Sequence, residues 1–237
     1  MLNIEIIPAV MPESFDDVGT KSALVAGLVE TVQLDIMDGI FVPEKTWPYT
    51  RSGLDEFRGL IADKTGLPNS DTMRYEVDLM ITEPEQAVLY WLEAGAARVI
   101  VHIESTERFG ALIETIRAAF RQQEIIENRK PIELGVAIDI DTPTEAILPF
   151  CHAVDFVQCM GIAHIGYQGQ PFDARVIPKI RDLRNTHPNL IISVDGGVNF
   201  ESAPQLVAAG INRLVSGSAI FTSDNPRDAI ARLRSGR

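Results

Sequence analysis

The chain is short of cysteine, of positive charge and of long apolar runs, and each shortage removes a class of function. Only Cys151 and Cys159 are present, spaced neither for a metal knuckle nor for a disulfide framework, so both read as buried thiols and a cytoplasmic setting is expected. Lysine and arginine number 21 against 33 aspartates and glutamates, a formal charge of −12. Such a surface repels phosphate backbones and anionic membranes, so nucleic acid is not an expected partner, and an anionic ligand must be held by a local array of amides or a few cations. No run of eighteen apolar residues occurs, and MLNIEIIPAV at the start lacks a basic segment and a cleavage tripeptide, so neither membrane spanning nor export is expected. Linkers and low-complexity stretches are missing too. Residues 1–237 therefore read as one domain, within the ~200–250 residues over which barrels fold as single units.

What is present is alternation. Short runs rich in Val, Ile and Leu predict strands at 3–8, 31–36, 74–79, 97–102, 132–138, 154–159, 190–194 and 212–216. Amphipathic segments between them predict helices near 17–29, 51–63, 83–94, 106–122, 143–148, 172–186, 200–209 and 225–234. Thr82-Glu83-Pro84-Glu85 and Thr142-Pro143-Thr144-Glu145 each put a hydroxyl ahead of Pro at a helix start, predicting two capped N-termini. Gly95 and Gly210 predict helix ends in EAGAARVIV and AAGINRLVS. Eight strand–helix units whose strands are apolar throughout predict a single (β/α)8 TIM barrel, an α/β fold with its parallel strands buried on both faces. An open doubly wound sheet would carry a glycine-rich turn after the first strand, where this chain has only Pro8-Ala9-Val10.

Loops at the C-terminal ends of barrel strands build active sites, and the long segment 39–50, GIFVPEKTWPYT, is one such loop. Asp35 and Asp38 close the second strand, Asp78 the third, His102 and Glu104 the fourth, Asp139 and Asp141 the fifth, and Asp195 the seventh. Carboxylates crowded into one mouth raise each other's pKa or call for a cation, and either condition suits acid–base chemistry. About half of them are expected only to cap helices or satisfy loop amides, with Asp139 and Asp141, just before a Thr-Pro helix start, as the expected caps. Three glycine-bearing segments follow strands six, seven and eight. Glycines let backbone N–H groups approach an oxyanion, and a helix start after strand eight adds a favourable dipole. Gly166, Gln168, Gly169, Gly196, Gly197, Gly217 and Ser218 are therefore the expected phosphate site.

The segments VQLDIMDGIFVP, VDLMITEPE, AGAARVIVHIE, GYQGQPF, ISVDGGVN and VSGSAIF resemble, in order and spacing, the hallmark segments of ribulose-phosphate 3-epimerase. The resemblance implies a ribulose-phosphate-binding barrel that interconverts ribulose 5-phosphate and xylulose 5-phosphate, with a divalent metal and as a homo-oligomer. It implies that Asp35 and Asp195 are the catalytic pair. One removes the proton at C3 and the other returns a proton on the opposite face, as inversion through a planar enediolate requires. Met37, Met80 and Met160 stand where the family lays methionines over the reacting face, although methionine is also ordinary core filler.

The departures from the family cluster at the metal. Gln33 stands where the family has a histidine two residues before the first aspartate, and Asp78 where it has a second histidine before Leu-Met. Ala9 replaces a serine, Glu44 an asparagine and Gln168 a glycine of the phosphate loop. One outcome is an all-oxygen site of Gln33, Asp35, Asp78 and Asp195, suited to Mg²⁺ or Mn²⁺; the other is no metal, with one carboxylate protonated near neutral pH. Repulsion among three carboxylates favours the metal site, as a weak one. His102 is expected as a hydrogen-bonded wall of the site, His152 and His187 as surface residues, and His164 within reach of substrate. The leading reading is an epimerase acting on a small phosphorylated ketose. Its alternative is a phosphosugar-binding relative that lost catalysis or changed specificity along with the two histidines. A decarboxylase would carry a lysine between paired aspartates, and Asp35-Ile36-Met37-Asp38 has none. The helix around Trp91, AVLYWLEAG, faces either its own core or a partner subunit.

Overall fold

In the computed structural model, which describes residues 4–127, 132–167 and 169–236, eight strands close on themselves. They are β1 (Glu5–Val10), β2 (Thr31–Met37), β3 (Arg74–Met80), β4 (Arg98–His102), β5 (Glu133–Ile138), β6 (Phe156–Met160), β7 (Ile191–Asp195) and β8 (Arg213–Ser216). All pairings are parallel and follow chain order, with β8 returning to β1, so this is the predicted (β/α)8 TIM barrel. The helices are α1 (Phe15–Val25), α2 (Gly53–Ala62), α3 (Glu85–Glu93), α4 (Phe109–Glu127), α5 (Val176–Thr186), α6 (Ala203–Ala209), α7 (Ser218–Phe221) and α8 (Pro226–Ser235). None is long and apolar enough to cross a membrane.

Three local expectations fail for one reason, proline. The helix expected at 143–148 is instead two 3₁₀ turns, Thr144–Ala146 and Leu148–Phe150, because Pro149 has no N–H to continue an α-helical ladder. Neither threonine caps. Pro84 itself takes the cap position of α3 and Pro143 that of the first 3₁₀ turn, which leaves Thr82 and Thr142 too far upstream for a side-chain bond. Ser14 and Asn225 do cap, accepting from the Asp17 N–H and from the Arg227 and Asp228 N–H groups. Gly210 ends α6 in the left-handed region at φ 101°.

Strand alternation sorts the interior into two environments. Outward side chains such as Ile6, Leu34, Val77, Val136, Val194 and Leu214 join one continuous core with the helices. Trp91 belongs to it, buried in its own chain against Trp47 and Phe57, so the α3 face is turned inward at that residue. Inward side chains form separate layers. At the N-terminal end Arg98 and Arg213 are buried among Glu5, Glu76 and Glu133. Above them Ile100, Ala137 and Phe156 plug the axis, with the Arg213 guanidinium 4.6 Å from the Phe156 ring. Along the described barrel axis, the C-terminal mouth is the end left open to a ligand.

Candidate active site

The mouth is built by the same alternation. On β2, Gln33, Asp35 and Met37 share the inward face, and the register sets them beside Glu76, Asp78 and Met80 of β3. Asp195 reaches the same point from the end of β7. The cavity above has a volume of about 290 Å³ and is lined by Asp35, Asp195, Met37, Met80 and Met160 together with Ala9. Gly166, Gly169, Gly196, Gly197, Gly217 and Ser218 also line it, so the structure brings the described residues of the expected phosphate site together. Gln168 lies outside the described residues. Tyr167, Gln170, Pro171 and Asn199 also line the cavity; they lie within the GYQGQPF and ISVDGGVN segments but were not among the expected site residues.

Loop 39–50 is fastened under this cavity. The Thr46 hydroxyl donates to the Asp35 carbonyl at 2.8 Å and accepts from the Met37 N–H at 2.9 Å. Asp38 is a loop organiser, its carboxylate accepting from the N–H groups of Ile40, Phe41 and Thr82. Glu44 is exposed and does not line the main cavity.

Gln33 and Asp78 lie beneath the cavity floor, both fully buried. The Gln33 amide nitrogen donates to Asp35 Oδ1 at 2.8 Å and to Asp195 Oδ2 at 2.6 Å. Asp78 Oδ2 accepts from the Gln158 amide at 3.0 Å, and its Oδ1 lies 3.3 Å from His102 Nε2. On the other side of the ring, His102 Nδ1 is 3.5 Å from Asp139 and 3.8 Å from Glu104. His102 does not line the cavity and its ring nitrogens make no hydrogen bond, a correction to the expected hydrogen-bonded wall residue: it stands behind Asp78, facing carboxylates on both sides. Gln158 was missed, although it shares the inward phase of β6 with Phe156 and Met160.

Asp139 and Asp141 are not caps. Asp139 is drawn to the buried His102 ring, and Asp141 pairs with Arg175 at the surface. His164 is exposed and absent from the cavity lining, a correction to its expected reach, while His152 is exposed and His187 half-buried.

Burial and crowding set the charges. Asp35 is pushed well above the usual carboxylate range, first by burial and then by the charges of Asp195 and Asp78, against the Gln33 hydrogen bond. Asp195 is raised to about 7 by burial and by Asp78. For His102 burial opposes the charged form, but Asp78, Asp139 and Glu104 outweigh it and hold the imidazole well above its ordinary value. Burial also opposes the charge of Glu104, yet the His102, Thr142 and Asp139 N–H contacts bring it to about 2.

Among the described residues, two groups of side chains could hold a metal ion: Asp35, Asp78 and Asp195, and His102, Glu104 and Asp139, each group with its ligand atoms within 4.8 Å of one another. For the divalent ion of the resemblance, the first group fits. It offers three carboxylates, and Asp78 Oδ1 is buried there without a hydrogen-bond partner. Such an all-oxygen set suits a hard cation.

Comparison with known proteins agrees with this geometry. A profile of the Ribulose-phosphate 3 epimerase family matches residues 5–221. The ribulose-phosphate 3-epimerase of Bacillus subtilis is 29% identical over 240 residues, covering 99% of this chain and 100% of its own. That of Schizosaccharomyces pombe is 32% identical over 206 residues, covering 86% of this chain and 80% of its own. Among solved structures, 3-hexulose-6-phosphate synthase from Salmonella typhimurium superposes with a TM-score of 0.66 at 14% identity, covering 98% of both chains, a likeness of fold. With a barrel closed in chain order, a glycine-lined mouth and a profile match spanning nearly its whole length, the chain belongs to the ribulose-phosphate 3-epimerase family of isomerases.

Proposed function

We propose that the protein epimerises a small phosphorylated ketose of the ribulose 5-phosphate type at C3, through an enediolate, with Asp35 and Asp195 as the acid–base pair. The observation that carries this is the convergence of those two carboxylates on one cavity from β2 and β7, with Gln33 between them. Inversion requires one carboxylate ionised and one protonated at the same time. Their raised pKa values support such a division near neutral pH, because two adjacent buried carboxylates do not both ionise readily. The ionised aspartate takes the C3 proton, and the protonated one then delivers its own proton to the other face of the planar intermediate.

Around this pair the remaining residues bind and exclude water. Met37, Met80 and Met160 wall the reacting carbon with polarisable, water-free surface. Backbone groups at Gly166, Gly169, Gly196, Gly197, Gly217 and Ser218 hold the phosphate, a role suited to a chain whose net charge of −12 leaves little for distant attraction. A hard ion, Mg²⁺ or Mn²⁺, where bound, would be held by Asp35, Asp78 and Asp195, with Gln33 Oε1 joining them only if its amide turned over, and would supply positive charge to the developing enediolate oxygen. The exposed Leu54 and Tyr90, on α2 and α3, support assembly into a homo-oligomer. The unpaired, buried Cys151 and Cys159 support a reducing, cytoplasmic setting.

The test is solvent deuterium entry at C3 of ribulose 5-phosphate, followed by NMR alongside the appearance of xylulose 5-phosphate. Exchange with inversion is expected. Thermal stabilisation by sugar phosphates with neither exchange nor inversion would instead favour a binding protein that has lost the reaction.

A further inference from the structure

Both positions at which the resemblance places metal-binding histidines are occupied here by residues already committed to other partners. Gln33 lies two residues before Asp35 on one face of β2, and its amide carries two N–H groups on a single nitrogen. They go to Asp35 Oδ1 at 2.8 Å and Asp195 Oδ2 at 2.6 Å. A histidine in this place has at most one hydrogen on the nitrogen it points at the carboxylates, so it cannot bridge the pair. At the second position Asp78 is held by the Gln158 amide on one oxygen and faces the His102 ring with the other.

Gln33 can offer its oxygen to a cation only by turning the amide over. Oε1 is buried and has no hydrogen-bond partner, whereas Nε2 has two carboxyl partners. The turn itself is easy, since the terminal amide torsion is broad. Its consequence is the loss of both bonds to the aspartates. The amide and an ion therefore compete for the same two carboxylates.

We propose that Gln33 is a positioning residue that cross-links Asp35 and Asp195 through its amide N–H groups, so that proton exchange proceeds without a divalent ion and ion binding must displace the cross-link. This rests on the reading of Asp35 and Asp195 as the acid–base pair. The hydrogen bond to the ionised aspartate is charge-assisted and worth about tenfold or more, so wild-type affinity for Mn²⁺ is expected to be at least about tenfold weaker than that of Gln33→His.

The experiment uses the full chain, stripped with a chelator and checked for residual metal. Three quantities are read: deuterium entry into ribulose 5-phosphate, Mn²⁺ affinity by calorimetry, and the Gln33 side-chain amide signals by ¹⁵N NMR. Stripped wild type is expected to exchange within about tenfold of the Mn²⁺-supplemented rate. Gln33→His should bind Mn²⁺ more tightly and depend on it for exchange. Gln33→Leu should lower kcat with KM little changed, and the Gln33 signals should move when diamagnetic Mg²⁺ saturates the protein. Exchange seen only with Mn²⁺, wild-type affinity equal to that of Gln33→His, or amide signals indifferent to both Mg²⁺ and Asp195→Asn would each overturn the proposal. Should no form exchange deuterium, the epimerase reading fails, while affinity and NMR still decide whether the cross-link exists. If Gln33→Leu does not fold, those two readouts carry the test.

Discussion

Asp35 and Asp78 are register partners on β2 and β3, so two buried carboxylates stand side by side on the barrel's inner face. Like charges directly opposite one another on adjacent strands destabilise a sheet. This fold tolerates the pair because each carboxylate has its own donor, Gln33 for Asp35 and Gln158 for Asp78, and the His102 ring stands 3.3 Å from the second Asp78 oxygen. The arrangement keeps the proposed acid–base pair buried beside Asp78, and it generates separable consequences for each side chain involved.

Asp35→Asn and Asp195→Asn are each expected to slow epimerisation by about 10²–10⁴-fold, the usual cost of removing a positioned acid or base. The two losses differ in kind. With one carboxylate left, one epimer can still lose its C3 proton and regain deuterium on the same face, so each variant should exchange one epimer without inverting it. Single-turnover NMR on both epimers checks this, and a variant that still inverts at the wild-type rate would remove that aspartate from the pair.

The pH profile should be bell-shaped. One proton must leave the pair before either aspartate can act as base, which places the acid limb near Asp195 at about 7. The alkaline limb follows Asp35, which burial and its neighbours push well upward. Stability runs the other way. Asp195 is raised in the folded state above its unfolded value, so its contribution is fully present below pH about 4 and is lost as pH rises through about 7. Kinetics and urea melts across that range measure both, and a flat rate through neutrality would contradict the shared-proton pair.

Much of this was legible in the sequence and some was not, for identifiable reasons. The barrel could be read because strands buried on both faces give continuous apolar runs, and Asp35 and Asp195 stood out at strand ends. The ion-pair layer of Glu5, Glu76, Arg98, Glu133 and Arg213 could not. Each of those charges is a single interruption of an apolar run, and only the closed register turns all of them inward together. Gln158 was hidden in the same way. Gln33 and Asp78 could be seen as departures from a pattern, but their partners come from β6, β7 and β4, which no local spacing reveals.

Gly197 offers a test of the phosphate loop apart from the chemistry. It sits at φ +66°, and a Cβ there would lie 2.5 Å from the Phe172 Cα, a backbone contact that cannot yield without moving the loop. Gly197→Ala should therefore raise KM for the phosphorylated substrate far more than it lowers kcat, with a stability loss of about 1 kcal/mol or more from the strained conformation. Inhibition by inorganic phosphate should weaken in parallel. Unchanged KM and phosphate affinity would move the anion site elsewhere.

His102 is the charge balance for the floor of the site. It is fully buried, faces Asp78 at 3.3 Å, and its imidazole is held well above its ordinary pKa. A group whose folded pKa is raised contributes stability that is fully present below pH about 6.5 and is lost as pH climbs through the folded value. Removing the ring alone, as in His102→Leu, leaves Asp78 buried opposite an apolar group and should cost about 3–5 kcal/mol. Removing both charges, as in His102→Leu with Asp78→Leu, should recover most of that, because a buried pair replaced by apolar residues is often close to neutral. The double-mutant cycle, measured by urea denaturation at neutral and mildly alkaline pH, separates an ion pair from simple packing. A double variant no more stable than the single one would mean that the ring fills space and carries no charge for Asp78.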